Sequence, residues 1–345
     1  MVQSLYGVEE AVQAIWVFLE HSGGTLETVS LELLGKAREL ADAAGWPVVG
    51  LLPGMDVSAL AETAFAHGAD EVRLAEHPLL ADFTVEGYTQ VAFEALMAAK
   101  PSVFLLGATP NGRDLAGRLA VRLRTGLNAD CTDLRLEPQT GVMVSEVSGF
   151  GGGVLALLEM QHHRPQMATF RPGVFPLRAG DPARRGELVP VPVTLTAERL
   201  HTRVIERVVG AGLDLSQAPV LVVGGRGMEG DFDTLRELAS LLGGEVGATR
   251  PPVDEGYIER TRQIGQTGVV CRPKIALVCG VSGAFHFVVG IQDAGTVIAI
   301  NNDPAAEIFN HADYCVVGDV REVLPALVEK LKVVSCELGV ASCEL

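Results

Sequence analysis

The run Ala14-Ile-Trp-Val-Phe-Leu19 is apolar at every position, the pattern of a strand buried on both faces. Residues 28–45 follow with Leu31, Leu34, Ala37 and Leu40 at helical spacing. The alternation repeats as a strand over 46–52, a helix over 57–67, a strand over 71–74, a helix over 85–100, an apolar strand over 101–107 and a helix over 112–124. This order predicts βαβαβ units with a parallel sheet. Short strand-like runs at 134–136, 142–147, 154–160 and 189–195 then alternate with Pro/Gly turns, which predicts that one edge of the sheet turns antiparallel.

Glu198 to Ala218 reads as a charged helix and a small-residue turn, after which Pro219-Val-Leu-Val-Val-Gly224 restarts the strand-turn-helix rhythm. Strands at 275–279, 297–301 and 315–317, closed by a helix over 321–332, predict a second parallel α/β domain. The expected division is 1–200 and 201–333, with a tail over 334–345. In that tail Ser335-Cys-Glu-Leu338 recurs as Ser342-Cys-Glu-Leu345. It is expected to be a frayed, disordered end.

Composition sharpens this picture. With 345 residues and 48% hydrophobic content the chain can give each of two domains its own core. Its net charge of −16 argues against nucleic acid and anionic membrane surfaces as partners. The six cysteines include no C-x-x-C pair, so zinc-ribbon and iron–sulfur readings lose their support. Glu159, His162 and His163 lack a defined ligand set, and no metal is expected. Residues 1–20 show no targeting pattern and no apolar run reaches ~20 residues, which predicts a soluble, cytoplasmic chain with reduced thiols.

The candidate chemistry lies in the loops that end the second domain's strands. Gly225-Arg-Gly-Met-Glu-Gly230 satisfies G-x-G-x-x-G at the mouth of a helix, where free amides would favour a phosphate. The alternative is a glycine turn that only packs helix on strand, and Glu245 comes too early for the usual ribose-binding acid of a nicotinamide site. Gly247-Ala-Thr-Arg250, Gly265-Gln-Thr-Gly268, Cys279-Gly-Val-Ser-Gly-Ala-Phe-His286 and Val297-Ile-Ala-Ile-Asn-Asn-Asp-Pro304 follow, and Asp319 closes the next strand. In a parallel sheet such strand ends share one edge, where ligands bind. Two function classes are open at this point: a nicotinamide-dependent dehydrogenase or transferase, and a non-redox nucleotide-sensing subunit.

Taken in order, GGRG (224–227), GATR with P-VD (247–254), IGQTG (264–268), GVSGA (280–284), AINNDP (299–304) and ADYCVVGD (312–319) resemble the electron-transfer flavoprotein alpha subunit. The first domain resembles it through Gly107-Ala-Thr-Pro-Asn-Gly-Arg-Asp-Leu115 and Thr125-Gly-Leu-Asn-Ala-Asp-Cys-Thr132. The resemblance implies an N-terminal α/β domain with a nucleotide-hydrolase-like sheet, which contacts a beta subunit, and a C-terminal parallel Rossmann-like domain that binds FAD. It implies an electron carrier, not a stand-alone enzyme, working as a heterodimer with that beta subunit. Its donors would be dehydrogenases of the acyl-CoA dehydrogenase type or similar, and its acceptor a membrane quinone oxidoreductase or a ferredoxin.

Carried over by position, the resemblance gives Arg226, Thr249, Arg250, Ile264, Gly265, Gln266, Thr267, Ser282, Gly283, Ala284, Phe285, His286, Phe287, Asn301 and Asp319 as FAD contacts. Gly265 and Gly268 would admit the cofactor to the backbone, and Thr267 would donate to a flavin ring nitrogen. Where the family reads SGAIQH this chain reads Ser282-Gly-Ala-Phe-His-Phe287, so the histidine has moved one place. The expectation is that Phe287 packs beside the ring while His286 is a core or interface residue. The segment 164–174 is similar to the version found with electron-bifurcating beta subunits; its alternative is a proline-braced connector. The 107–113 loop, similar to a nucleotide-cradling turn, is expected to contact the partner subunit.

Overall fold

A computed structural model describes residues 4–149, 154–205, 215 and 218–337. The chain divides into two compact units, residues 1–208 and 209–345. The first unit runs β1 (Val12–Phe18), the hairpin β2 (His21–Ser22) and β3 (Thr25–Leu26), α1 (Thr28–Ala44), β4 (Val48–Gly54), α2 (Leu60–Ala66), β5 (Glu71–Glu76) and α3 (Val85–Ala99). It continues with β6 (Pro101–Gly107), α4 (Pro110–Leu123), β7 (Leu127–Cys131), β8 (Asp133–Leu136), β9 (Met143–Gly149), β10 (Val154–Glu159), β11 (Gln166–Phe170) and β12 (Glu187–Pro190).

Alternate side chains of β1 enter different layers. Ile15 and Val17 pack with Leu33, Leu34 and Ala37 of α1, while Trp16 and Phe18 pack with Val91, Ala92 and Leu96 of α3 and Leu115 and Leu119 of α4. That is why the run is apolar at every position: both faces are covered. The helices have local causes too. Thr109 caps α4 by accepting from the Gly112 amide at 2.9 Å, with Pro110 at the first helical position, and Gly45 closes α1 at φ 72°.

The main sheet has the order β12-β5-β4-β1-β6-β11-β7, and every pairing in it is parallel. The expected antiparallel edge is therefore corrected. The antiparallel strands β8, β9 and β10 form their own three-stranded sheet, and the edge positions go to β7 and β12. Strand β11, within the 164–174 segment whose alternative reading is a proline-braced connector, is a buried inner strand beside β6.

The charged helix expected to open the 198–218 segment, ahead of a small-residue turn, is corrected where the structure describes it. Ala197–Arg199 form one 3-10 turn and residues 200–205 are not helical; residues 206–214, 216 and 217 lie outside the described residues. Burial of Leu195 and Leu200 against the α3 side of the core, with the amides of His201 and Thr202 donating to Glu86, pins the chain there in an extended form.

The second unit runs β13 (Val220–Gly224), α5 (Asp233–Leu241), β14 (Glu245–Ala248), α6 (Arg250–Asp254), β15 (Ile275–Cys279), α7 (Phe285–Val288), β16 (Thr296–Asn301), β17 (Tyr314–Val317) and α8 (Val320–Glu337). Its five strands are all parallel in the order β14-β13-β15-β16-β17. Leu221 and Val223 face one core layer and Val222 the other, with α5 and α8 covering the latter. Helix α8 carries on through 334–337, so the expected tail begins as helix; residues 338–345 lie outside the described residues. Among the described residues no helix is long and apolar enough to cross a membrane.

Candidate functional site

From β13 the chain crosses to β14 on one side, whereas β15, β16 and β17 build out on the other, so the strand order reverses beside β13. Outside the carboxyl ends of such strands an α/β sheet opens a crevice. Here it is a cavity of about 620 Å³, lined from the loops after all five strands. Four strand spacings make it roughly 19 Å across.

The glycine motif is used otherwise than its pattern suggests. The Gly225 amide donates to Cys279 O at 2.9 Å and the Gly227 amide to Gly280 O at 3.0 Å, while those of Met228 and Glu229 close a 3-10 turn. A methyl group at Gly225 or Gly227 would run into the backbone of Gly280, itself at φ 62°. These glycines let two loops lie backbone against backbone. Four of the motif's six amides are thus engaged within the protein, and Asp233 occupies the first turn of α5. Those of Arg226 and Gly230 donate to no described residue, and neither do those of Ser282, Gly283 and Ala284 after β15.

Twelve of the expected contacts line the cavity: Arg226, Thr249, Arg250, Ile264, Gln266, Thr267, Ser282, Ala284, His286, Phe287, Asn301 and Asp319. Three do not. Gly265 (φ 133°) is pressed against the carbonyl of His286, so its missing side chain admits protein backbone and not a ligand. Gly283 (φ 90°) lies against the amide of Ile308, and Phe285 turns outward at 37% exposure. The glycine approach expected of Gly268 is likewise taken by the protein, at the carbonyl of Gln263.

The polar side chains are pre-set by their neighbours. Thr267 Oγ1 accepts from Gln263 Nε2 at 2.9 Å, which leaves its own proton to donate. Arg250 is exposed and pairs with Asp254 at 3.0 Å one helical turn on. Asn301 donates to Val281 O at 2.8 Å and accepts from the Asp303 amide at 2.9 Å, so this buried side chain braces two loops. Asp319 accepts from the Arg321 amide at 2.9 Å and from its guanidinium at 2.9 and 3.1 Å. Those hydrogen bonds hold its carboxyl down at about 2. His286 is exposed and lines the cavity, which removes the core half of the expectation of a core or interface residue. Phe287 is buried with Ile264, Val281 and Ile291.

The expected contacts leave out Glu229, Gln263, Asn302 and Arg321, which also line the cavity. Glu229 and Asn302 stand inside motifs already quoted, and Gln263 and Arg321 within two residues of one. Among the described residues no group of three or more His, Cys, Asp or Glu side chains is placed to hold a metal ion.

The fold defines a class: a two-unit parallel α/β protein whose C-terminal unit is Rossmann-like. The model of the electron transfer flavoprotein domain matches residues 15–196, and that of the electron transfer flavoprotein FAD-binding domain matches residues 214–292. The chain belongs to the electron transfer flavoprotein alpha-subunit family. It is 41% identical over 322 residues to the electron transfer flavoprotein subunit alpha of Thermoanaerobacterium thermosaccharolyticum, covering 92% of this chain and 97% of that one. To the protein FixB of Clostridium saccharobutylicum it is 43% identical over 330 residues, covering 94% and 98%. It is also 38% identical over 325 residues to subunit LctC of the lactate dehydrogenase (NAD(+),ferredoxin) of Acetobacterium woodii, covering 93% of this chain and 77% of that one.

Proposed function

We propose that the C-terminal unit holds one FAD non-covalently in the strand-end cavity. The chain, paired with a beta subunit that its first unit contacts, then relays electrons from dehydrogenases to a downstream acceptor in the cytoplasm. The observation that carries this reading is a slot spanning all five strand ends, in a unit most of whose first half matches the FAD-binding family model. Its length suits an extended dinucleotide, and its donors suit both a flavin ring and a diphosphate.

FAD supplies the redox chemistry when bound; this chain orients it and tunes its charge. Arg250 offers a cation for the negative charge that reduction adds, and Thr267 offers its free proton to a ring nitrogen. The Ser282–Ala284 amides and Arg226 suit the diphosphate, and Asp319, ionised at neutral pH, suits a ribose hydroxyl. Donors of the acyl-CoA dehydrogenase type, and a membrane quinone oxidoreductase or a ferredoxin as acceptor, belong to the same proposal.

Likeness to LctC, whose name couples NAD and ferredoxin, favours a second reading in which the complex bifurcates electrons between two acceptors. Purification with the native beta subunit tests both. Flavin absorption that bleaches with dithionite is expected, one flavin per heterodimer for a simple carrier and two for a bifurcating complex. Nicotinamide or adenine absorption alone would support a dehydrogenase or a nucleotide sensor instead.

A further inference from the structure

Arg321 ties together two carboxylates that the chain brings from distant places. Its Nη2 and Nε donate to Asp319 at 2.9 and 3.1 Å, while its Nη1 donates to Glu229 at 3.2 Å, across 92 positions of sequence. Glu229 sits in the loop after β13 and Arg321 at the start of α8 after β17, with β15 and β16 between those strands in the sheet. The Glu229–Arg321 pair thus crosses the strand-end groove, and all three side chains line the cavity. A second observation concerns Glu229 alone. It holds φ 51°, left-handed backbone that favours glycine or asparagine, beside Gly230 at φ 90°. Nothing in the turn itself requires a glutamate there; its carboxylate reaching Arg321 gives it a use.

We propose that Arg321 is a positioning and specificity residue: held by Asp319 and Glu229, it straps the Asp319 end of the cavity and selects for a flavin that carries an adenosine. The cluster of one guanidinium and two carboxylates has a net negative charge, which repels a phosphate and accepts hydroxyls. A ribose suits that end. A mononucleotide flavin bound by its ring at the Arg250 end does not reach the strap, whereas a dinucleotide does. The proposal rests on FAD binding by this unit.

The test uses the full chain purified with its native beta subunit, loaded with FAD or with FMN, and follows flavin fluorescence on dilution. Substitutions confined to this chain isolate its own flavin from any the partner holds. Because all three groups are partly exposed, the expected effect is modest. Arg321→Ala and Glu229→Gln each speed FAD release roughly two- to fivefold, and the double variant no further than either alone. FMN release stays at the wild-type rate. Wild-type FAD release quickens with salt, and that dependence flattens in both variants. Arg321→Lys, which keeps the charge but not the forked geometry, restores the salt dependence with only part of the slow release. Equal acceleration of FMN and FAD would reduce Arg321 to a structural residue and overturn the proposal, as would unchanged FAD release. A wild-type complex that holds no flavin in this chain would overturn the FAD reading itself, and the strap with it.

Discussion

Nδ1 of His286 donates to Oε1 of Gln266 across 2.6 Å, and the Gln266 amide donates back to the His286 carbonyl across 2.7 Å. This reciprocal pair fixes the loop at 264–268 to α7, the two pieces that carry Thr267 and Phe287 into the cavity. The displaced histidine has therefore acquired a partner within the protein. His286→Ala is expected to leave the fold intact, because the side chain is exposed, while hydrogen exchange at residues 264–268 accelerates. Phe287→His behaves oppositely. It puts a polar ring among Ile264, Val281 and Ile291 and is expected to cost about 2–4 kcal/mol in urea unfolding. Equal stability of the two variants would refute the distinction.

Arg250 is exposed and balanced by Asp254, so its ion pair adds little to folding. Arg250→Ala should leave the melting temperature of the flavin-free protein within a degree or two. The effect is expected on bound flavin instead. Losing a guanidinium near the charge that reduction adds lowers the potential by roughly 40–90 mV, from about 1–2 kcal/mol of screened Coulomb energy. Asp254→Asn should raise it, because the arginine then acts unopposed. Spectroelectrochemistry of both variants checks the opposite signs, and shifts in the same direction would remove Arg250 from the site.

The strands most legible in the sequence were 14–19, apolar throughout, and 101–107, apolar but for Ser102, because burial on both faces favours apolar residues. Strands β7 and β11 were hidden because buried polar residues interrupt them. Asn128 donates to Ser145 at 3.1 Å, Gln166 accepts from the Met143 amide at 2.7 Å, and Thr169 accepts from the Asp130 amide at 3.0 Å. Satisfied by tertiary partners, such residues read as loop in a pattern that scores only hydrophobicity. The site was legible as motifs, not as contacts. Twelve of the side chains that the family resemblance gave line the cavity, yet Gly265 and Gly283 serve packing within the chain that only the fold reveals. Arg321 was missed because its partner Glu229 lies 92 positions away.

Glycine positions give a sharper test of that packing. An added methyl at Gly283 would meet the Ile308 amide, and φ 90° is strained for any other residue. Gly283→Ala should therefore cost at least about 2 kcal/mol and weaken flavin binding. Gly117 sits inside α4 with open space around it, so Gly117→Ala should stabilise by about 0.5–1 kcal/mol and leave flavin binding unchanged. Urea midpoints for the pair check both signs.

Cysteine reactivity follows from burial. Desolvation pushes the Cys279 thiol up to about 12 and, with a smaller contribution from Asp130, does the same to Cys131, whereas Cys315 is exposed. At pH 8 a thiol reagent followed by site-resolved mass spectrometry should label Cys315 within minutes, and Cys131 and Cys279 only when the protein unfolds. The same raised values set a pH dependence. An unfolded thiol ionises near 8.5 while the folded one stays neutral, so its contribution is fully present below that value and is lost as pH rises toward about 12. For Cys279 the loss by pH 10 is roughly 2 kcal/mol. Other groups titrate in this range, so the informative quantity is a difference: stability lost between pH 7.5 and 10 should be smaller in Cys279→Ala than in wild type by about that amount. Identical losses in the two proteins would mean that Cys279 ionises in the native state, and rapid labelling at pH 8 would then be expected there too.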